Sequence, residues 1–433
     1  MRRLKLVLLA FAVAALASFG IAACGDDDEG DGGGGGEDVS DASFDLTVGA
    51  LVPLTGDLSQ FGPPGQKAAE LAIEEASAAL EEVGADITVT METADTQTEP
   101  QAAQTAAQQL VSNGANCLVG PWASSETVPV GRSVAARSEI PLISPSSTSP
   151  EITDLPDNGF VFRTAPSDAL QGQVLADAVE QELGSTDATV SLAARNDPYG
   201  EGIVTEFKAA WEAKGGTTTG PVLYDPELSS YNSEANQIVE GDPDQFVIID
   251  FEEPYNRLGA ALARTGSFDA ANLWTADGLA FEDGIPKSIP NDALAGAKGT
   301  RPSSPEDTDT AMAFDELYKQ APGAKARGTF DAQNFDAAML CVLAAVAAGS
   351  NEGPAIAEKI QEVASAPGEK YDFTQLAEAI EALQAGEDID FEGASGPLDL
   401  DDNGDPTVAF YERYEYDDQG NFSIVETVEK QAE

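Results

Sequence analysis

Histidine is absent from all 433 residues, so the chain cannot build a Ser-His-Asp triad, a Cys-His dyad, an HExxH zinc site or an imidazole general base. Basic residues are scarce as well: 22 Lys and Arg stand against 76 Asp and Glu, a formal charge of −54. A surface this acidic repels phosphate backbones, which excludes nucleic acid as a partner. Only three cysteines occur, Cys24, Cys117 and Cys341. They are too few and too far apart for a disulfide framework or a zinc knuckle. Pro64-Gly65-Gln66-Lys67 lacks the spacing of a phosphate loop. No cofactor, metal or enzymatic activity is expected. What remains is 42% hydrophobic, enough to bury cores in two or three domains of about 150 residues.

The three cations of Met1-Arg2-Arg3-Leu4-Lys5 precede an almost wholly apolar run from Leu6 to Ala17. That is the pattern of an export signal, and the run is too short to span a membrane comfortably. Ile21-Ala22-Ala23-Cys24-Gly25 resembles the bacterial lipobox. The resemblance implies that residues 1–23 are a lipoprotein signal peptide and that Cys24 carries a lipid anchor. A secreted protein cut by ordinary signal peptidase is the alternative. Residues 24–43 are rich in Asp and Gly and contain no Lys or Arg, so they cannot bury enough surface to offset ordering entropy. They are expected to form a flexible tether with a reach of roughly 25 Å. The expected location is the outer face of the bacterial cytoplasmic membrane. Cys117, in a strand-like run, and Cys341, in an apolar helical run, read as core residues, with a disulfide between them left open.

From Phe44 onward strand and helix patterns alternate. Phe44, Leu46, Val48 and Ala50 recur at period two, and Ala69, Ala72, Ile73, Ala76, Leu80 and Val83 recur at helical spacing. Further strands are expected at 87–91, 117–119, 189–194, 245–251 and 272–275, with helices at 101–111, 201–214, 257–265, 334–348 and 374–384. Two strand-like runs, 408–411 and 422–425, flank an Asp417-Asp418-Gln419-Gly420 turn. Alternation of this kind predicts an α/β fold of two doubly wound, parallel-sheet lobes. Ligands of such sheets bind at the carboxyl ends of strands, which directs attention to the loops there.

Those loops carry a resemblance. Pro53-Leu54-Thr55-Gly56 with Phe61-Gly62, Ala68-Ala69-Glu70-Leu71-Ala72-Ile73, Gly120-Pro121-Trp122-Ala123-Ser124-Ser125-Glu126-Thr127 and Ile143-Ser144-Pro145-Ser146-Ser147-Thr148-Ser149-Pro150 follow one another in order. Val161-Phe162-Arg163-Thr164 with Asp168, Asn196-Asp197-Pro198-Tyr199-Gly200-Glu201-Gly202, Asn334-Phe335-Asp336-Ala337-Ala338 and Gly396-Pro397-Leu398-Asp399 complete the series. Together they resemble the leucine/isoleucine/valine-binding family of type I periplasmic solute receptors. The resemblance implies an N-terminal lobe of 44–164 and 300–408, a C-terminal lobe of 165–299 and 409–433, and a hinge of three crossovers near residues 164, 299 and 409. It also implies a monomer that serves an ABC importer whose permease and ATPase are other chains.

Ser124 and Ser125 precede an expected helix, where a hydroxyl and backbone N–H groups can hold a carboxylate; a plain helix cap is the alternative. The resemblance assigns Ser124 to the ligand carboxylate, with Ser146, Ser147 and Thr148 in the same lobe. It places Tyr199 in the cleft and Asp277 opposite a ligand α-ammonium, and makes Phe61 and either Phe251 or Glu252 walls of the pocket. Without the resemblance Tyr199 is a packed ring and Asp277 a surface turn. Glu252 and Glu253 make the wall more acidic than the family pattern, which points toward cationic or amide ligands. Asp399-Leu400-Asp401-Asp402-Asn403-Gly404-Asp405 begins like a calcium loop, but Phe410 stands where the twelfth ligand would be. The expected function is capture of an amino acid for import. The alternatives are a sensor of amides, urea or other small solutes, or a hydrolase built on Asp277 and Glu252. Residues 1–23 hold three cations and no acid, and the tether holds only eight acids. The acidity therefore belongs mainly to the folded part.

Overall fold

The computed structural model describes residues 38–305 and 308–432; the export signal, Cys24 and most of the tether lie outside them. Five parallel strands form the first sheet, β1 (Ser43–Val52), β2 (Asp86–Asp95), β3 (Cys117–Val119), β4 (Leu142–Ser144) and β5 (Val161–Arg163), in the order β2-β1-β3-β4-β5. The second sheet begins with β6 (Thr189–Arg195), β7 (Thr217–Tyr224), β8 (Gln245–Ile249), β9 (Leu273–Thr275) and β10 (Lys298–Ser303). A small three-stranded sheet follows, from β11 (Glu369–Asp372), β12 (Ile389–Gly393) and β13 (Gly396–Pro397). The chain ends with β14 (Val408–Tyr416) and β15 (Phe422–Gln431), an antiparallel hairpin that joins the second sheet as β15-β14-β10-β9-β8-β6-β7. Strand β10 runs in the second sheet to Ser303, so the chain leaves that sheet a few residues beyond 299.

The helix Asp331–Ala348 is apolar enough to span a membrane by composition, yet it is buried from Asp331 to Val346. It packs against the helix Gly62–Val83 in the core of the first lobe. Its return over the first sheet brings Cys341 to Cys117, and the two form a disulfide with Cα atoms 5.9 Å apart. The two residues are core residues as their runs suggest, and they are also bridged.

Two segments linking the sheets are fixed to each other. Arg163, at the end of β5, is fully buried; its Nε donates to Asp405 Oδ1 at 2.5 Å and its Nη2 to Asp405 Oδ2 at 2.6 Å. Asp405 lies just before β14, in the turn that resembles a calcium loop. Its carboxylate is engaged by a guanidinium, and Asp401 Oδ1 accepts the N–H groups of Asn403 and Asp405 within the same turn.

Candidate functional site

Three loops of the first lobe converge at the carboxyl ends of β1, β3 and β4. After β3 the chain needs Gly120, whose φ is +92° and where a Cβ would sit 2.2 Å from the Leu51 carbonyl oxygen. The loops are stitched by hydroxyls: Ser144 donates to the Pro121 carbonyl at 2.6 Å, and Ser147 Oγ lies 2.7 Å from Thr127 Oγ1 and donates to the Trp122 carbonyl at 3.0 Å. The Ser149 N–H donates to Ser124 Oγ at 3.2 Å. Arg163 Nη1 donates to the carbonyls of Ser147 at 3.2 Å and Ser149 at 2.9 Å. Between those two, the buried Thr148 hydroxyl stands beside the Asp168 carboxyl, whose charged form it favours.

The second lobe presents Tyr199, Phe251 and Asp277, each just beyond a strand. Asp197 caps the helix Pro198–Ala213 by accepting the Gly200 N–H at 3.0 Å, which sets Tyr199 in its first turn. Phe251 precedes the helix Glu252–Thr265 and stacks on Tyr199 with ring centroids 5.2 Å apart. Tyr199 donates to Asp277 Oδ1 at 3.2 Å and accepts the Gly278 N–H at 3.2 Å. Gln171 Nε2 donates to Asp277 Oδ1 at 3.1 Å and to the Thr300 carbonyl at 3.0 Å. Burial pushes Asp277 up to about 6 against the hydrogen bonds that favour its charge.

A second carboxylate lies beside it. Asp168 opens the helix Asp168–Leu183, one turn before Gln171, and its N–H donates to the Thr148 carbonyl at 2.8 Å. It is fully buried, and the Thr148 hydroxyl and the Arg163 charge only partly offset that burial. Burial first, and the nearby Asp277 second, hold it well above the usual carboxylate range. Two buried acids that oppose each other's charge, with the Thr148 hydroxyl beside one of them, describe a place that a donor-bearing cation would stabilise. The sequence reading placed Asp168 in a motif but gave it no role, and it did not reach Gln171. The one available sign was their spacing at the start of a helix.

The sequence candidates do not all behave alike. Ser124, Thr148, Tyr199, Phe251 and Asp277 are buried in the cleft loops. Phe61 and Trp122 of the first lobe share one apolar cluster with Tyr199, Phe251 and Trp274 of the second, so the lobes are closed on each other. Phe61 also lines a groove of about 460 Å³ with Pro64, Phe281, Lys287 and Lys325. The Ser147 hydroxyl is occupied by Thr127 and Trp122. Ser125 and Ser146 are half-buried. Glu252 accepts the Ser288 hydroxyl at 2.6 Å, leaving Phe251 as the wall that meets Tyr199.

A family model described as "Periplasmic binding protein" matches residues 45–406. The Leu/Ile/Val-binding protein homolog 3 of Brucella melitensis is 34% identical over 181 residues, 41% of this chain and 47% of that protein. The matched stretch thus spans about half the length of that relative. A chemotactic signal transduction system substrate-binding protein of Halobacterium salinarum, BasB, is 25% identical over 361 residues, 82% of this chain and 83% of that one. Among solved structures, the branched-chain amino acid transporter substrate-binding protein LivJ of Streptococcus pneumoniae, in complex with isoleucine, is similar in fold. It has a TM-score of 0.69 and 18% identity, covering 90% of this chain and 100% of that one.

Proposed function

We propose, because the chain belongs to the periplasmic binding protein family, that it captures a zwitterionic amino acid of branched-chain type or a close relative between its lobes and delivers it to an ABC importer. The permease and ATPase would be other chains, and Cys24 would anchor the receptor to the outer face of the cytoplasmic membrane as a monomer. The observation that carries the reading is the pair of buried acids, Asp168 and Asp277, close enough to oppose each other's charge, with the Thr148 hydroxyl beside Asp168 in a closed cleft. A ligand ammonium adds a positive charge and further donors beside both acids, in a dry site where such bonds are strong. The ligand carboxylate then falls to the Ser124 loop and the Ser146–Thr148 loop. Contacts to Tyr199 and Asp277 on one lobe and to Thr148 on the other stabilise the closed form.

A thermal-shift screen of amino acids, amides, urea, amines and simple carboxylic acids tests it. A ligand at about 100 times its dissociation constant adds roughly 2.7 kcal/mol. Amino acids should raise the melting temperature, while their des-amino analogues should not. A shift by carboxylic acids alone would overturn the ammonium assignment. Recovery of unchanged ligand from the complex separates a receptor from an enzyme. The similarity to a chemotactic substrate-binding protein supports a second reading, ligand sensing. Loss of labelled amino-acid uptake in a deletion strain favours transport; intact uptake with lost chemotaxis favours sensing.

A further inference from the structure

A second polar cluster crosses the cleft beside the ligand residues. Arg195 ends β6 and is 5% exposed. Its guanidinium lies 3.8 Å from the centroid of the Phe251 ring, on a ring that itself stacks on Tyr199. Three acids surround it. Asp197 pairs with Nε, Asp250 stands 4.0 Å from Nη1, and Asp57 Oδ2 stands 3.6 Å from the same Nη1, which makes no hydrogen bond. Asp197 and Asp250 belong to the lobe of Arg195 and have other partners: Asp197 accepts the Gly200 N–H, and Asp250 accepts the Tyr224 hydroxyl and the Phe251 N–H. Asp57 lies in the loop after β1, on the opposite lobe.

Acids also meet across this edge. Glu253 faces Asp57, and Glu227 faces Glu99 from the other lobe. Arg257 is nearby but is paired with Glu253 on its own helix. Arg195 has the larger attraction for Asp57, with Arg257 adding to it, and so offsets the acid-against-acid edge. Its flat guanidinium suits both tasks, since a lysine would keep the charge and lose the stack.

We infer that Arg195 is a positioning residue that holds Phe251 and Tyr199 with its face and latches the closed lobes by pairing with Asp57 across the cleft. The pair sets how long a ligand is retained, whatever the ligand's identity; only the last arm of the test rests on the amino-acid reading. The full chain, as wild type, Asp57→Asn, Asp57→Glu and Arg195→Lys, is measured by small-angle scattering without ligand, at low and high salt, and by stopped-flow release of L-leucine. Asp57→Asn should enlarge the ligand-free radius of gyration and speed L-leucine release about fivefold, the scale of an ion pair worth about 1 kcal/mol, with association unchanged. Asp57→Glu should restore both. Arg195→Lys should keep the salt-dependent compaction and bind L-leucine more weakly. An Asp57→Asn protein that matches wild type in radius and release overturns the latch. If L-leucine gives no signal with wild type, the amino-acid reading falls and the ligand-free radius decides the latch alone.

Discussion

The Tyr199 hydroxyl stands between Asp277 Oδ1, to which it donates at 3.2 Å, and the Gly278 N–H, which it accepts at 3.2 Å. This one hydroxyl ties a helix N-terminus to the turn after β9, and so fixes a buried carboxylate relative to an aromatic wall. The carboxylate keeps a defined direction without a cation of its own.

Replacing Asp277 by asparagine keeps its shape and removes its charge. Breaking one side of a buried, hydrogen-bonded charge pair costs at least about 2 kcal/mol. Affinity for whichever amino acid binds wild type best should therefore fall at least about 30-fold by calorimetry. The ligand-free melting temperature should hold or rise, because a desolvated charge has been removed.

Stability and affinity should respond to pH in opposite senses. Asp277, Asp250 and Glu126 are raised by burial to about 6, about 7 and about 8 in the folded chain, above their ordinary values. Their folded forms keep protons that the unfolded chain has already lost. The stability they contribute is complete below their ordinary values and is lost as pH rises through 6, 7 and 8. The ligand-free melting temperature should fall between pH 5 and about 8.5, and Glu126→Gln should flatten the upper part of that fall. Affinity for an ammonium ligand should instead weaken as pH drops through about 6 and Asp277 takes up its proton.

The Cys117–Cys341 bond joins β3 to the central helix of the first lobe across 224 residues of sequence. Cross-links of this kind typically contribute about 2–4 kcal/mol, mainly by restricting the unfolded chain. A Cys117→Ser, Cys341→Ser protein should lose about that much in urea denaturation while ligand affinity stays within about twofold, since neither residue lies in the cleft loops.

What the sequence disclosed divides by range. Strands ending in loops with Ser124, Thr148, Tyr199 and Asp277 were legible because each depends on local pattern and on motif order. The helix Asp168–Leu183 carries Leu170, Val174, Leu175, Ala178 and Val179 at helical spacing around Gly172 but was not among the expected elements. That glycine is required by a distant neighbour: a Cβ there would lie 2.5 Å from Glu206 Cβ on the helix Pro198–Ala213. With that helix went the role of Asp168. The Cys117–Cys341 bond, the Arg163–Asp405 pair and the Arg195–Asp57 contact are long-range, and nothing local announces them. Glu252 and Phe251 were equally placed by sequence; the register of the helix that begins at Glu252 sends one to Ser288 and the other to Tyr199.

Neighbouring hydroxyls in one loop should have opposite roles. Ser147 bonds within the protein, to Thr127 and Trp122, so Ser147→Ala leaves partners in a buried loop unsatisfied and should lower stability by about 1–3 kcal/mol. The Thr148 hydroxyl instead stands beside the Asp168 carboxyl, whose charged form it favours. Thr148→Val keeps the shape and deletes only that hydroxyl, so the ligand-free melting temperature should fall less than in Ser147→Ala. Ligand affinity should fall about tenfold, the scale of one hydrogen bond to a charged group. Thermal melting without ligand and calorimetry with it separate the two: a Thr148→Val protein that melts as low as Ser147→Ala and binds normally would place the hydroxyl in the scaffold and remove it from the site.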